Sequence, residues 1–320
     1  MKMVLGLVVD FLNYKDHFKM FNEQYGLPAL ELHILLQNLE PENDFRNKLR
    51  SFLEFLQKNK VKHLSFHSPD SLMQTILYEE KTPFFANDKK KFFLLIDELK
   101  GFADSFGKEV ILVVHQGIKL PSSMIDCMSE AECKELKQKL LKKAKESYDW
   151  LMDYAGNSKL KVMLENSPPS CASDNSYHYY DLAFEDISSR IGKNGFILDI
   201  SHAAMCVHYY KQRKIKFPAL ELLRKEHKGI PPSLQSVEDY ARIAAKNTRW
   251  IHLSDANGIM GQNEGLPIGA RGSIIDFKKL FAAIKKGVKK PILVLEIVKA
   301  EKDFSLIEKS MQELKKMKIA

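Results

Sequence analysis

Six short apolar runs in this chain each close on a histidine or a carboxylate. Phe66 leads into His67, Val114 into His115, Leu164 into Glu165, Leu198 into Asp199, Ile251 into His252 and Leu295 into Glu296. The six are separated by 48, 50, 34, 53 and 44 positions, about the length of one strand-and-helix unit. Runs of this length, bounded by turn residues, read as buried strands. Phe196-Ile197-Leu198 is set off from the preceding chain by Gly192 and Gly195, and it delivers Asp199 and then His202. A carboxylate and an imidazole three positions apart are candidate ligands for one cation. Equally, Asp199 reads as the cap of a helix beginning near His202.

Between these runs the pattern is helical. Strands are expected at Met3 to Val9, Leu30 to Leu36, Val61 to Phe66, Val110 to Val114, Lys161 to Leu164, Phe196 to Leu198, from Trp250 and at Pro291 to Leu295. Glu31 and His33 sit on alternate positions of the second. Asn43 or Asp44 is placed to cap a helix through Lys58, and Ser129 one reaching roughly to Tyr154. Eight strands alternating with about eight helices is the pattern of a (β/α)8 TIM barrel. An open doubly wound sheet would carry a Gly-rich phosphate turn after an early strand. The glycines from Gly258 to Gly272 follow a late strand and lack that spacing. No shift of composition marks a second domain, so residues 1–320 read as one barrel domain.

At the strand ends of such a barrel, residues distant in sequence meet on one face. Three imidazoles and three carboxylates there would repel or stay badly solvated without cations between them. His67, His115, Glu165, Asp199, His252 and Glu296 are therefore the candidate metal ligands. The net charge of +8 comes mostly from lysines. Their helical spacing among apolar residues reads as solvated helix faces, or as a surface suited to a phosphorylated substrate or nucleic acid. No apolar run approaches the roughly 18–20 residues of a membrane span. The opening run stops at Asp10, so a first strand is expected there rather than a signal peptide. Four cysteines without metal-ligand spacing read as reduced thiols in a cytoplasmic protein.

The motifs Phe66-His67-Ser68-Pro69, Val114-His115-Gln116-Gly117, Leu164-Glu165-Asn166, Asp199-Ile200-Ser201-His202, Ile251-His252-Leu253-Ser254-Asp255 and Leu295-Glu296 together resemble the xylose isomerase-like barrel superfamily. That superfamily includes sugar phosphate isomerases and epimerases and the AP endonuclease family 2 enzymes related to endonuclease IV. The resemblance implies a four-ligand metal site at Glu165, Asp199, His252 and Glu296. In the endonuclease branch it implies a second site at His67 and His115, bridged by Glu165. His202 matches a third-site ligand of that branch, or a substrate-contacting histidine of the epimerases. The endonucleases complete the third site with an Asp-x-His pair where this chain has Asn263-Glu264-Gly265, so both ligands are expected to be lost. Leu266-Pro267-Ile268-Gly269 instead resembles the isomerase-like members.

Two enzymatic functions follow. In the first, a divalent metal (manganese, magnesium, cobalt or zinc, one or two ions) assists isomerisation or epimerisation of a small-molecule sugar or sugar phosphate. Glu165 and Glu296 then move protons, His202 holds a substrate oxygen, and Arg271 clamps a phosphate or carboxylate. The alternative is metal-dependent phosphodiester hydrolysis on a nucleic acid. There Tyr177, His178, Tyr179 and Tyr180 are candidates to stack on a base, although packing of their loop is the simpler expectation. A barrel that keeps a metal without catalysis is the third reading.

Overall fold

The computed structural model describes residues 3–26, 28–69, 89–116, 119–170, 176–178, 180–212, 221–222, 225–226, 228–300 and 302–319. The expected loop before Asp88, Gly117, Cys171, Tyr179 and the ring of Tyr177 lie outside the described parts. Eight parallel strands form the barrel wall. They are β1 (Val4–Asp10), β2 (Ala29–His33), β3 (His63–His67), β4 (Val110–Val114), β5 (Leu160–Glu165), β6 (Phe196–Asp199), β7 (Thr248–Leu253) and β8 (Ile292–Leu295). Each pairs with its neighbour in sequence, and β1 closes the ring on β8 through Val4 and Ile292. With helices between the strands, this is a (β/α)8 TIM barrel. A short antiparallel ribbon, Lys119–Pro121 against Ser176–His178, joins the β4 and β5 loops and was not foreseen from the sequence.

Both faces of the wall are covered, as a parallel sheet requires. One apolar cluster lies between strands and helices, while a smaller one fills the barrel: Ala29, Ile111, Val113, Met163, Ile197, Trp250 and Val294. Gly6 lets β1 and β2 approach, since a Cβ there would stand 2.7 Å from that of Ala29. Gly195 enters β6 at a φ of +104°, where a Cβ would lie 2.8 Å from the Asn247 carbonyl, so only glycine fits.

The helix over Glu130–Ala155 starts as expected: Glu132 N–H donates to Ser129 Oγ, and Ser129 N–H donates to Glu132 Oε2 at 2.7 Å. The helix over Glu42–Asn59 starts earlier than expected, and its cap is Pro41 rather than Asn43 or Asp44. Proline's fixed φ and missing N–H cost nothing at that position. Lys137, expected on a solvated face, is instead buried and paired with Asp186 at 3.3 Å and Glu226 at 2.8 Å. Tyr180 packs as its loop suggested, its hydroxyl donating to the Gln116 carbonyl at 2.7 Å. Cys127 and Cys206 are free thiols. No helix among the described residues is long and apolar enough to cross a membrane.

Candidate metal centre

Side chains alternate across a strand, and the six candidate ligands stand at strand ends above the apolar filling. His67, Glu165 and Asp199 close β3, β5 and β6, His252 precedes the end of β7, and His115 and Glu296 lie one residue past β4 and β8. The fold brings all six together in two groups that share Glu165. The ligand atoms of His67, His115 and Glu165 lie within 4.8 Å of one another, and so do those of Glu165, Asp199, His252 and Glu296. Glu165, Asp199 and His252 are buried, whereas Glu296 is partly open.

Asp199 satisfies both sequence readings at once. Its Oδ1 caps the helix over Ile200–Lys211 by accepting from His202 N–H at 2.6 Å, and it also accepts from Ser201 Oγ at 2.8 Å. The other carboxylate oxygen is left for the centre. Asn166 holds this strand end, accepting from Asp199 N–H at 2.9 Å and donating to its carbonyl at 3.0 Å. The Glu165-Asn166 pair at the end of β5 thus supplies one candidate ligand and holds the strand end that carries another.

Charge in the cluster is unbalanced. Burial opposes a charge on His252, but Glu165, Glu31 and Glu296 outweigh it and hold the ring well above the ordinary histidine value. Burial opposes ionisation of Glu165 too, yet His252 and His115 hold it well below the usual carboxylate range. Glu296, against the same burial, is drawn down to about 2 by His252. Asp199 is pushed up to about 6, by burial first and by repulsion from Glu165 and Glu296.

The donor set fits a cation. His67 Nδ1 lies 2.9 Å from the Ser68 carbonyl, so in the neutral ring it carries the proton and Nε2 presents a lone pair. That Nε2 is 3.2 Å from His115 Nε2 and 3.5 Å from Glu165 Oε2, and His115 Nε2 is 3.1 Å from the same oxygen. Glu165 Oε2 is buried between these two rings. A metal ion would reconcile electron-rich atoms that converge in this way. In the other group, His252 Nδ1 stands 2.9 Å from Glu165 Oε1 and 2.8 Å from Glu296 Oε2.

Glu31 is the participant the sequence reading did not assign. Fully buried on β2, it accepts from His252 Nε2 at 3.0 Å and from Ser65 Oγ at 2.5 Å. It fixes which ring nitrogen of His252 turns to the centre, the usual work of a carboxylate behind a ligating histidine. An acid on the inward side of an otherwise apolar strand was the signal available in the sequence.

The loop after β7 is organised by Asp255. Its carboxylate accepts from Gly269 N–H at 2.9 Å, Ala270 N–H at 3.1 Å and Ser273 Oγ at 2.6 Å. Asn263 is turned to this loop, donating to Asn257 Oδ1 at 2.8 Å and accepting from Met260 N–H at 3.3 Å. Glu264 is different: its Oε2 is buried and lies 3.4 Å from His202 Nε2. His202 Nδ1 faces the Asn166 carbonyl at 2.9 Å, which turns Nε2 toward Glu264. The expected loss of both third-site ligands therefore holds for Asn263 and Gly265, but Glu264 brings a carboxylate to His202 from between them. Arg271 stands exposed on the same loop and joins none of these contacts.

The sequence matches the xylose isomerase-like TIM barrel family over residues 23–317. This chain belongs to that family. No curated protein matches it. Among solved structures, this xylose isomerase-like barrel resembles a xylose isomerase domain protein from Planctomyces limnophilus, with a TM-score of 0.57, 15% identity, and coverage of 100% of this chain and 99% of that one. It also resembles a putative sugar phosphate isomerase/epimerase from Anabaena variabilis, with a TM-score of 0.55, 15% identity, and coverage of 99% of this chain and 100% of that one. At this identity the likeness is one of fold.

Proposed function

We propose that this xylose isomerase-like barrel is a divalent-metal-dependent isomerase or epimerase of a sugar, sugar phosphate or related hydroxycarbonyl compound. The reading is carried by the convergence of Glu165 and Glu296 on one nitrogen of His252. Two carboxylates converging on one point support a single reaction centre between them. Glu165, Asp199, His252 and Glu296 would hold the ion. When bound, the ion supplies Lewis acidity that polarises a carbonyl and acidifies the adjacent C–H. Glu165 and Glu296 are both held below the usual carboxylate range, so each is ionised near neutral pH and able to accept a proton. In an isomerisation the carboxylate that takes the proton from one carbon is thereby protonated and returns it to the neighbouring carbon. In an epimerisation the other carboxylate first takes up a proton from solvent and delivers it to the opposite face. His202, its ring set by the Asn166 carbonyl, orients a substrate oxygen. The name of the Anabaena variabilis structure agrees with this substrate class.

A second reading, metal-dependent phosphodiester hydrolysis, is favoured by the group of His67, His115 and Glu165 and by the approach of Glu264 to His202. Two ions bridged by one carboxylate suit in-line displacement. Metal stoichiometry of reconstituted protein, measured beside assays on a panel of ketoses and their phosphates and on an abasic duplex, tests both. One ion per chain with turnover of a ketose or its phosphate supports the isomerase. Two ions with incision of the duplex would replace it with the hydrolase.

A further inference from the structure

The opposite end of the barrel carries a feature that this chemistry does not use. A cavity of about 420 Å³ opens where the strands begin, lined by Lys62, His63, Lys108, Arg249, Lys289 and Lys290 around a floor that includes Ile111, Trp250 and Ile292. The cations come from four separate segments. Lys62 precedes β3, Lys108 precedes β4, Arg249 lies in β7, and Lys289 and Lys290 precede β8. In the ring order, β3 and β4 lie across from β7 and β8, so the cavity sits over the barrel axis.

Five cationic side chains face one carboxylate there, Glu109, and that carboxylate is already held by Arg249 at 2.7 Å. Like charges gathered around one concavity oppose folding and focus a positive potential into it. The field is visible on His63: burial first, and then Lys108 and Lys62, hold its ring below the ordinary histidine value. A second observation points the same way. Trp250 is 1% exposed and lines the cavity, and its indole N–H has no hydrogen-bond acceptor among the described residues. A buried donor left without an acceptor destabilises the fold, and an anionic oxygen in the cavity would relieve it.

We propose that the strand-start mouth of the barrel is a binding site for a small phosphate-bearing anion. The cavity lies within the size range of small-molecule sites, roughly 300–1,000 Å³. Its buried tryptophan floor favours a compact ligand over a nucleic-acid duplex, whose backbone would meet only the exposed lysines. The ligand's phosphate oxygens engage Lys62, Lys289 and Lys290, and one of them accepts the Trp250 N–H.

The test is calorimetric titration of the metal-stripped full-length chain at low ionic strength with tripolyphosphate and with ADP, and with duplex DNA as the competing case. Intrinsic fluorescence is followed in parallel, since the chain has only two tryptophans. The expected result is one small anion per chain, with a fluorescence change that Trp250→Phe removes. Affinity should be unaltered by Glu165→Gln and lowered more than about tenfold by Lys62→Glu combined with Lys290→Glu. Both of those lysines are exposed, so that variant should fold. Tighter binding of tripolyphosphate identifies a free polyphosphate as the ligand and tighter binding of ADP a nucleotide, and either supports the site. No binding of either, affinity untouched by the charge reversals, affinity lost in Glu165→Gln, or binding of DNA alone would each overturn the proposal.

Discussion

Glu31→Gln probes how far the centre depends on a residue that does not itself face the metal position. The substitution keeps the shape of the side chain and removes its charge. Glu31 Oε2 accepts from His252 Nε2 at 3.0 Å, which leaves Nδ1 as the nitrogen turned to Glu165 and Glu296. A hydrogen bond to a charged partner contributes about 1.5–3 kcal/mol. At about 1.4 kcal/mol per decade that is roughly a ten- to hundredfold loss of metal affinity, the range expected when the group behind a ligating histidine is removed. Ser65→Ala, which removes only a neutral donor to Glu31, should lose less. Competition of wild type and both variants against a chelator of known affinity, with manganese or zinc, gives the ratio directly. Circular dichroism of the metal-stripped proteins confirms that each is folded. A folded Glu31→Gln protein binding metal within twofold of wild type would refute the argument that Glu31 positions His252.

Five further outcomes are expected. Glu165→Gln and Glu296→Gln each abolish turnover with a retained far-ultraviolet spectrum, because both residues stand at the proposed centre and each substitution keeps the shape of the side chain; full activity in either removes that centre. His67→Ala combined with His115→Ala keeps one bound ion and measurable isomerase activity, whereas a hydrolase would lose its second ion and fall by orders of magnitude in rate. Wild-type protein does not efficiently incise an abasic duplex, because Asn263 is committed to its own loop; robust incision that Glu264→Ala abolishes would reverse the ranking of the two functions. Metal affinity falls as the pH is lowered, because the carboxylates around His252 raise its proton affinity and an ion must displace that proton. In the metal-stripped protein the same histidine contributes stability fully present below its unfolded value, near about 6.5, and lost as the pH rises through the folded value. Chelator competition and thermal denaturation across pH read these two trends, which run in opposite directions.

The sequence alone determined the alternation of strands and helices, and with it the barrel, because apolar periodicity and strand-end punctuation are local properties of the chain. It also picked out His67, His115, Glu165, Asp199, His252 and Glu296, since each closes an apolar run and a barrel gathers strand ends on one face. Asp199 was legible only as an ambiguity, and the structure shows why: one oxygen caps a helix while the other remains for the centre. Glu31 was visible as an acid in a buried strand, but its bond to His252 spans 221 positions and exists only once β2 and β7 are set in the closed ring. Glu264 was the harder case. Spacing counted Asn263 and Gly265 as lost ligands, whereas the path of a loop folded around Asp255 decides which side chain turns toward His202. Lys137 and the lysines at the strand starts make the same point about charge. Composition counts them alike, but packing buries one against two carboxylates and gathers the others around a single cavity. Those distinctions depend on which segments come to lie beside one another, and only the tertiary structure decides that.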